Sequence, residues 1–205
     1  ISGKAQPAGK VVWKTLKGGN LYTENKSKIQ ERQAVIIMKQ LIAYFSRADE
    51  NYFGGQMKYV EVGNTEIAAQ KLQKLTGADL FRIEMKRPYS PEYKKCVAEA
   101  VKDKKENARP ELAGFPESIG DYDEIFLGYP SYCGTMPMAV FTFLEHFDFS
   151  GKKIRPFCTN EGSGMGTSVE DIRKLCPGAE VEDGLSIHGS HVQECDELLK
   201  EWEAR

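Results

Sequence analysis

The hydroxyl of Ser46, at the end of the apolar run Leu41-Ile42-Ala43-Tyr44-Phe45, is answered after a loop by Gly63-Asn64-Thr65-Glu66 at the mouth of a helical pattern. An unbroken apolar run marks a strand buried on both faces, and a helix start offers unpaired N–H groups at the positive end of its dipole. Hydroxyls and amides without a lysine suit a permanently held monophosphate better than a polyphosphate that arrives with Mg²⁺. The same residue types also serve as plain turn and N-cap residues, so their meaning depends on what stands beside them.

Two more loops carry unusual chemistry. Gly128-Tyr129-Pro130-Ser131-Tyr132-Cys133-Gly134-Thr135-Met136-Pro137 couples an aromatic ring and a thiol with glycine, where backbone approaches something closely. Thr159-Asn160-Glu161-Gly162-Ser163-Gly164-Met165-Gly166 spaces its glycines so that little side chain obstructs a flat ligand. An aromatic wall, open amides and a phosphate cradle together describe a pocket for flavin mononucleotide (FMN).

Other chemistries fit less well. The glycines at 162–166 fail the dinucleotide fingerprint, since Thr167 holds the third glycine position and the turn does not follow the first strand. There is no Walker sequence, and Ser163 lacks the frame of a hydrolase elbow. A phospho-receiver of similar topology needs acidic residues where Ser46 and Tyr129-Pro130 stand. His146 sits among phenylalanines as a structural residue, with His188 and His191 far along the chain. Cys133 reads as a small residue in a tight loop before it reads as a redox group. Lys102 to Lys105 form a solvated helix face, and Tyr52, Phe53 and Tyr59 either make a partner or substrate lip or fold their loop onto the body.

The elements that must position these loops alternate between strand and helix. Helical spacing of Ile67, Ala68, Leu72 and Leu75 runs to Gly77, and Leu80 to Met85 alternates as an edge strand. Ser90-Pro91-Glu92 predicts a helix with Ser90 as N-cap and Tyr93, Val97, Ala100 and Val101 as its buried face. Ile125 to Tyr129 is a second central strand, followed by a helix over Thr135 to Phe147. Ile154 to Thr159 is a fourth strand, although Pro156 fits an interior position poorly. Ser168 with Asp171 begins a helix, Val181 to Ile187 makes an outer strand, and Ser190 with Gln193 predicts a capping box for the last helix. The expected fold is an α/β three-layer sandwich around a five-stranded parallel sheet of order 2-1-3-4-5, whose ligands bind beyond the carboxyl ends of the central strands.

Composition is that of a globular protein: 205 residues, 40% hydrophobic and 28% charged, with no stretch long enough to span a membrane. Five scattered cysteines without C-x-x-C spacing read as reduced thiols of a cytoplasmic protein. Residues 1–37 carry seven Lys/Arg against two Asp/Glu, net +5, leaving 21 and 28, net −7, for 38–205. The acidic body argues against nucleic acid and favours basic protein partners. Met38, just before the first strand, reads as a natural start, with 1–37 as an upstream or non-native extension; the alternative gives Val11-Val12-Trp13 an edge-strand role.

From Met38 onward the chain resembles the flavodoxin-like family, especially its bacterial subgroup with Ser-loop-Gly-Asn-Thr, Pro-x-aromatic-x-Gly-Thr-x-Pro and Thr-x-Glu-Gly-Ser-Gly. The resemblance implies an electron-transfer protein with non-covalently bound FMN. Ser46, Arg47, Ala48, Asn64 and Thr65 would hold the phosphate. Pro130, Ser131, Tyr132, Cys133, Gly134 and Thr135 would line one side of the isoalloxazine, and Thr159, Glu161, Gly162 and Gly164 the other. In that expectation Tyr132 stacks on the ring, backbone near Gly134 meets N5, and Glu161 disfavours the fully reduced anion. The chain departs from relatives in an insertion, Asp49 to Val62, which leaves the site intact if it bulges into solvent, and in lacking the tryptophan that relatives often have at Tyr132 or Cys133. The resemblance leaves open an NAD(P)H-dependent quinone or nitro-compound reductase of the same fold. It implies redox partner proteins or NAD(P)H and quinone, and a monomer or homodimer.

Overall fold

The computed structural model describes residues 13–15, 21–23 and 38–205. Contacts divide the chain into two units, Ile1–Ile37 and Met38–Arg205. In the first, β1 (Trp13–Thr15) pairs antiparallel with β2 (Leu21–Thr23). Val11 and Val12, the other residues of the proposed edge strand, lie outside the described residues.

The second unit runs β3 (Gln40–Tyr44), β4 (Asp49–Phe53), β5 (Gln56–Val60), α1 (Asn64–Thr76), β6 (Asp79–Arg82), α2 (Tyr93–Lys105), β7 (Glu124–Pro130) and α3 (Met138–His146). It continues with β8 (Lys153–Asn160), α4 (Ser168–Leu175), β9 (Glu180–Val181), β10 (Leu185–His188), a 3₁₀ turn over Gly189–Glu194, and α5 (Asp196–Glu203). The sheet is parallel in the order β6-β3-β7-β8-β10, with β9 also on β8. Because side chains alternate across a strand, the apolar runs feed two cores. Leu41, Ala43, Ile125, Leu127 and Tyr129 pack against α2, α3 and α4 through Cys96, Phe143 and Ile172. Ile42, Tyr44, Phe126 and Phe157 pack against α1 and α5 through Leu72, Leu199 and Trp202. Each fully buried aromatic here contributes about 2 kcal/mol of burial. Gly128 is required between them, since a Cβ there would stand 2.2 Å from the Phe157 ring.

Several boundaries differ from expectation, each for a local reason. The outer strand is split into β9 and β10, and the split explains Pro156. Glu182 N donates to Ile154 O and Ser131 N to Thr159 O, so even-numbered positions of β8 face β9 and β10. Three residues, Glu182 to Gly184, pass two, Arg155 and Pro156, and the missing N–H falls where the neighbouring strand breaks. Ser90 is not the cap of α2: its hydroxyl accepts the Glu92 amide, and the helix begins at Tyr93, whose amide donates to Glu50 Oε2 at 2.8 Å. Ser168 does begin α4, as expected, but its buried hydroxyl is taken up by Met165 O and the Tyr129 phenol. Ser190 and Gln193 fall in the 3₁₀ turn, and α5 starts after Cys195. The helix expected from Thr135 begins at Met138, after Pro137.

The segment from Asp49 to Val62 does not simply bulge. It is the antiparallel hairpin β4–β5, turned by Gly54 and Gly55 at φ 58° and 85°. One end is riveted to the start of α2 by the Arg47 guanidinium, which donates to Glu50 O, Ser90 O and Pro91 O, with Glu50 N donating to Pro91 O.

Candidate functional site

At the carboxyl ends of the inner strands, Ser46 Oγ accepts the Glu66 amide at 3.1 Å. Gly63 lies so close that a Cβ would stand 2.3 Å from that hydroxyl, and it provides no side-chain cap for α1. The first amides of the helix, of Asn64 and Thr65, therefore find no acceptor among the described residues. The result is a helix start with two open amides and a hydroxyl beside it, an arrangement of donors that suits an anion. Arg47 contributes no free cation, because its donors are taken by the carbonyls of the hairpin and of Ser90-Pro91.

Ser46, Asn64 and Thr65 open into a cavity of about 590 Å³. Pro130, Ser131, Tyr132 and Cys133 form one wall, and Thr159, Asn160, Glu161 and Ser163 another. Ten of the fifteen expected binding residues thus line one space: Ser46, Arg47, Asn64, Thr65, Pro130, Ser131, Tyr132, Cys133, Thr159 and Glu161. Ala48 faces a smaller cavity on the far side of Ser46 and Arg47.

The other four do not line the cavity but shape the loops that do. Gly162 and Gly164 turn their amides inward, both donating to Asn160 Oδ1 at 2.9 Å, so they are not open donors. Asn160, buried and anchored on Ser186 Oγ, organises the glycine loop as an Asx turn does. Gly134 O accepts the Thr167 amide, and Thr135 Oγ1 donates to Asp171 Oδ2 at 2.6 Å. A Cβ on Gly166, at φ 56°, would come within 2.1 Å of Gly134 O, so this glycine lets the two loops touch.

Tyr132 is packed into its wall. Its ring meets Phe45 edge-on and Tyr89 at a tilt, and its hydroxyl lies 3.6 Å from Cys96 Sγ. Burial pushes the phenol well above its usual range and raises the Cys96 thiol as well, although the Tyr132 hydrogen bond lowers the latter. Cys133, at φ 53°, is the exposed member of five free cysteines.

Of the third wall, the sequence pointed only to Tyr52, as part of a lip. Tyr93, Val97, Ala100 and Val101 of α2, with Asn51, Tyr52 and Val60 of the hairpin, face the cavity. Val97 and Val101, expected in the core, are 40% and 50% exposed. Helical spacing showed a single apolar stripe; only the fold reveals that it faces a cleft.

Glu161 joins the hairpin to the far side. Its Oε2 accepts the Gly54 amide at 3.0 Å and lies 3.8 Å from His188 Nδ1, while Oε1 is buried with no hydrogen-bond partner among the described residues. His188, distant in sequence, comes near Glu161 because β10 ends beside β8. His146 stacks on Phe115 with ring centroids 3.6 Å apart, a packing role. Among the described residues no group of His, Cys, Asp or Glu could hold a metal, and no helix is long and apolar enough to cross a membrane.

The family profile described as flavodoxin matches residues 56–205. Among solved structures, a candidate flavoprotein from Bacteroides eggerthii is 27% identical, covering 79% of this chain and 98% of its own, with a TM-score of 0.58. Another from Bacteroides uniformis is 24% identical, covering 82% and 99%, with a TM-score of 0.62. A flavoprotein from Lactobacillus acidophilus in complex with FMN is 19% identical, covering 77% and 97%, with a TM-score of 0.55. The curated proteins contain no match.

Proposed function

The chain belongs to the flavodoxin family, and we propose that its cleft holds FMN non-covalently and passes electrons through it between redox partners. The observation that carries this reading is the meeting, on one cavity of about 590 Å³, of an open helix start with two loops from the ends of adjacent parallel strands. That volume falls within the ordinary range of cofactor sites, about 300–1,000 Å³. The unpartnered Glu161 Oε1 and the free Asn64 and Thr65 amides are polar groups that a polyol phosphate would satisfy.

In this proposal Ser46 and the α1 amides hold the phosphate, with Arg47 fixing the hairpin beside it. The walls from Pro130 to Cys133 and from Thr159 to Ser163 flank the flavin, while Gly134, Thr135, Gly162 and Gly164 set the shape of those walls. The bound flavin supplies the redox chemistry; the chain orients it, sheds water from it and sets its potential. One observation favours the reductase of the same fold as a second reading. The exposed valines of α2 and Tyr52 give the cleft an apolar side where a planar acceptor would lie.

Titration of the purified apoprotein with FMN, followed by absorbance and flavin fluorescence, tests the first claim. A flavin spectrum unperturbed at micromolar protein would defeat it. Anaerobic NADPH then separates the two readings: rapid direct bleaching without an added reductase selects the enzyme, and persistence of the oxidised spectrum selects the carrier.

A further inference from the structure

Glu161 is out of balance where it stands. A carboxylate accepts through two oxygens, and burying one without a donor costs more than an ordinary hydrogen bond gains. Oε2 is served by the hairpin tip, Gly54 N, while Oε1 is buried and unserved. Gly189 packs against Oε1 and against Asn64 Nδ2 alike: a Cβ there would stand 2.6 Å from the one and 2.5 Å from the other, so only glycine fits beside the pair. Both side chains line the cavity, and both crowd the same glycine. The orphan acceptor and the amide donor beside it, on two residues of the cavity wall, together match a group that gives one hydrogen bond and takes another. A hydroxyl does both.

We infer that one hydroxyl of the ligand's ribityl chain is held between Glu161 Oε1 and Asn64 Nδ2, with the Gly54-Gly55 tip of the hairpin closing over it. This inference rests on the FMN reading and deepens it. It assigns Glu161 to the sugar-alcohol chain near the phosphate end, since its neighbours are Asn64, Gly54 and His188. It also gives the hairpin a task, because the carboxylate that grips the ligand is the one that tethers the tip. The slot selects flavins with an intact polyol, independently of the phosphate.

Dissociation constants of FMN, riboflavin and lumiflavin, measured by fluorescence quenching on wild type, Glu161→Ala and Glu161→Gln, test this. Riboflavin keeps the chain without the phosphate, and lumiflavin lacks both. Glu161→Ala is expected to weaken FMN and riboflavin by roughly tenfold or more, the effect of one hydrogen bond to a charged group, and to leave lumiflavin nearly unchanged. Glu161→Gln, whose amide still bonds a hydroxyl, should recover much of the loss. Equal weakening of all three flavins by Glu161→Ala would mean a collapsed loop and overturn the inference, as would no weakening of riboflavin. A wild-type protein that binds none of the three would instead sink the proposed function, and this inference with it.

Discussion

Thr65 Oγ1 and Thr159 Oγ1 lie 2.7 Å apart, both buried, so each hydroxyl is the other's partner. The pair ties the first turn of α1 to the end of β8, joining residues 94 apart in sequence across the base of the cleft. Replacing either threonine by valine keeps the shape and strands the remaining hydroxyl, which costs about 1–3 kcal/mol. Thr65→Val and Thr159→Val should each lower the urea midpoint, and the double variant should cost less than their sum. Strict additivity would show that the hydroxyls do not depend on one another.

Ser46 has two expected tasks: its Oγ accepts the Glu66 amide, and it faces the phosphate in the proposed complex. Ser46→Ala should cost about 1 kcal/mol of stability, as loss of a helix-start acceptor does. It should also weaken FMN by roughly tenfold while leaving riboflavin unchanged, because only the former brings the anion. Equal losses for both flavins would remove Ser46 from the phosphate site.

How much of this was legible in the chain follows from what each feature depends on. The inner strands announce themselves because burial on both faces demands uninterrupted apolar residues, as in Ile125 to Tyr129. The three loops are legible because their residue types are constrained locally, and they meet because parallel strands end on one edge. Features set by a partner in space were not legible. Glu92 starts α2 in place of Ser90 because Glu50, 43 residues upstream, accepts the Tyr93 amide. Val97 and Val101 carry a core pattern but meet a cleft, and Gly162 and Gly164 look like open amides until Asn160 Oδ1 is seen to take both. Pro156 disfavoured an interior strand, yet the β9–β10 break that accommodates it lies some 26 residues downstream, roughly the length of a strand–helix unit.

The thiols give a direct measure of the cleft. Cys96, Cys158, Cys176 and Cys195 are buried and Cys133 is exposed on the cavity wall. Burial pushes Cys158 and Cys176 up to about 12, which leaves them as inert thiols near neutrality. An aromatic disulfide reagent at mildly alkaline pH should therefore modify one thiol per native chain and all five in denaturant. Saturating FMN should slow the native reaction, since Cys133 lines its proposed site. Fast reaction of two or more native thiols would contradict this packing, and an unaltered rate with FMN would place the flavin away from Cys133.

Acid should loosen the opposite end of the sheet. Glu182 is pushed up by burial, but the hydrogen bond from Lys153 at 2.6 Å and the charge of Arg155 outweigh that and hold its carboxyl below the usual range. Arg155, itself buried, donates to the Trp202 and Glu203 carbonyls and so fixes the end of α5. A carboxyl whose folded pKa is depressed stabilises the protein above its unfolded pKa and loses that contribution as pH falls through the folded value. Thermal stability should thus decline as pH drops from about 5 towards about 3, in part through this group. Glu182→Gln should cost on the order of 1 kcal/mol near neutrality and flatten the decline, because the variant has no proton to take up. If the variant and wild type lose stability in parallel over that range, the ion cluster of Lys153, Arg155 and Glu182 does not control acid unfolding, and the exposed Arg109–Glu145 pair, whose carboxyl is also held low by its hydrogen bond from Arg109, becomes the next group to substitute.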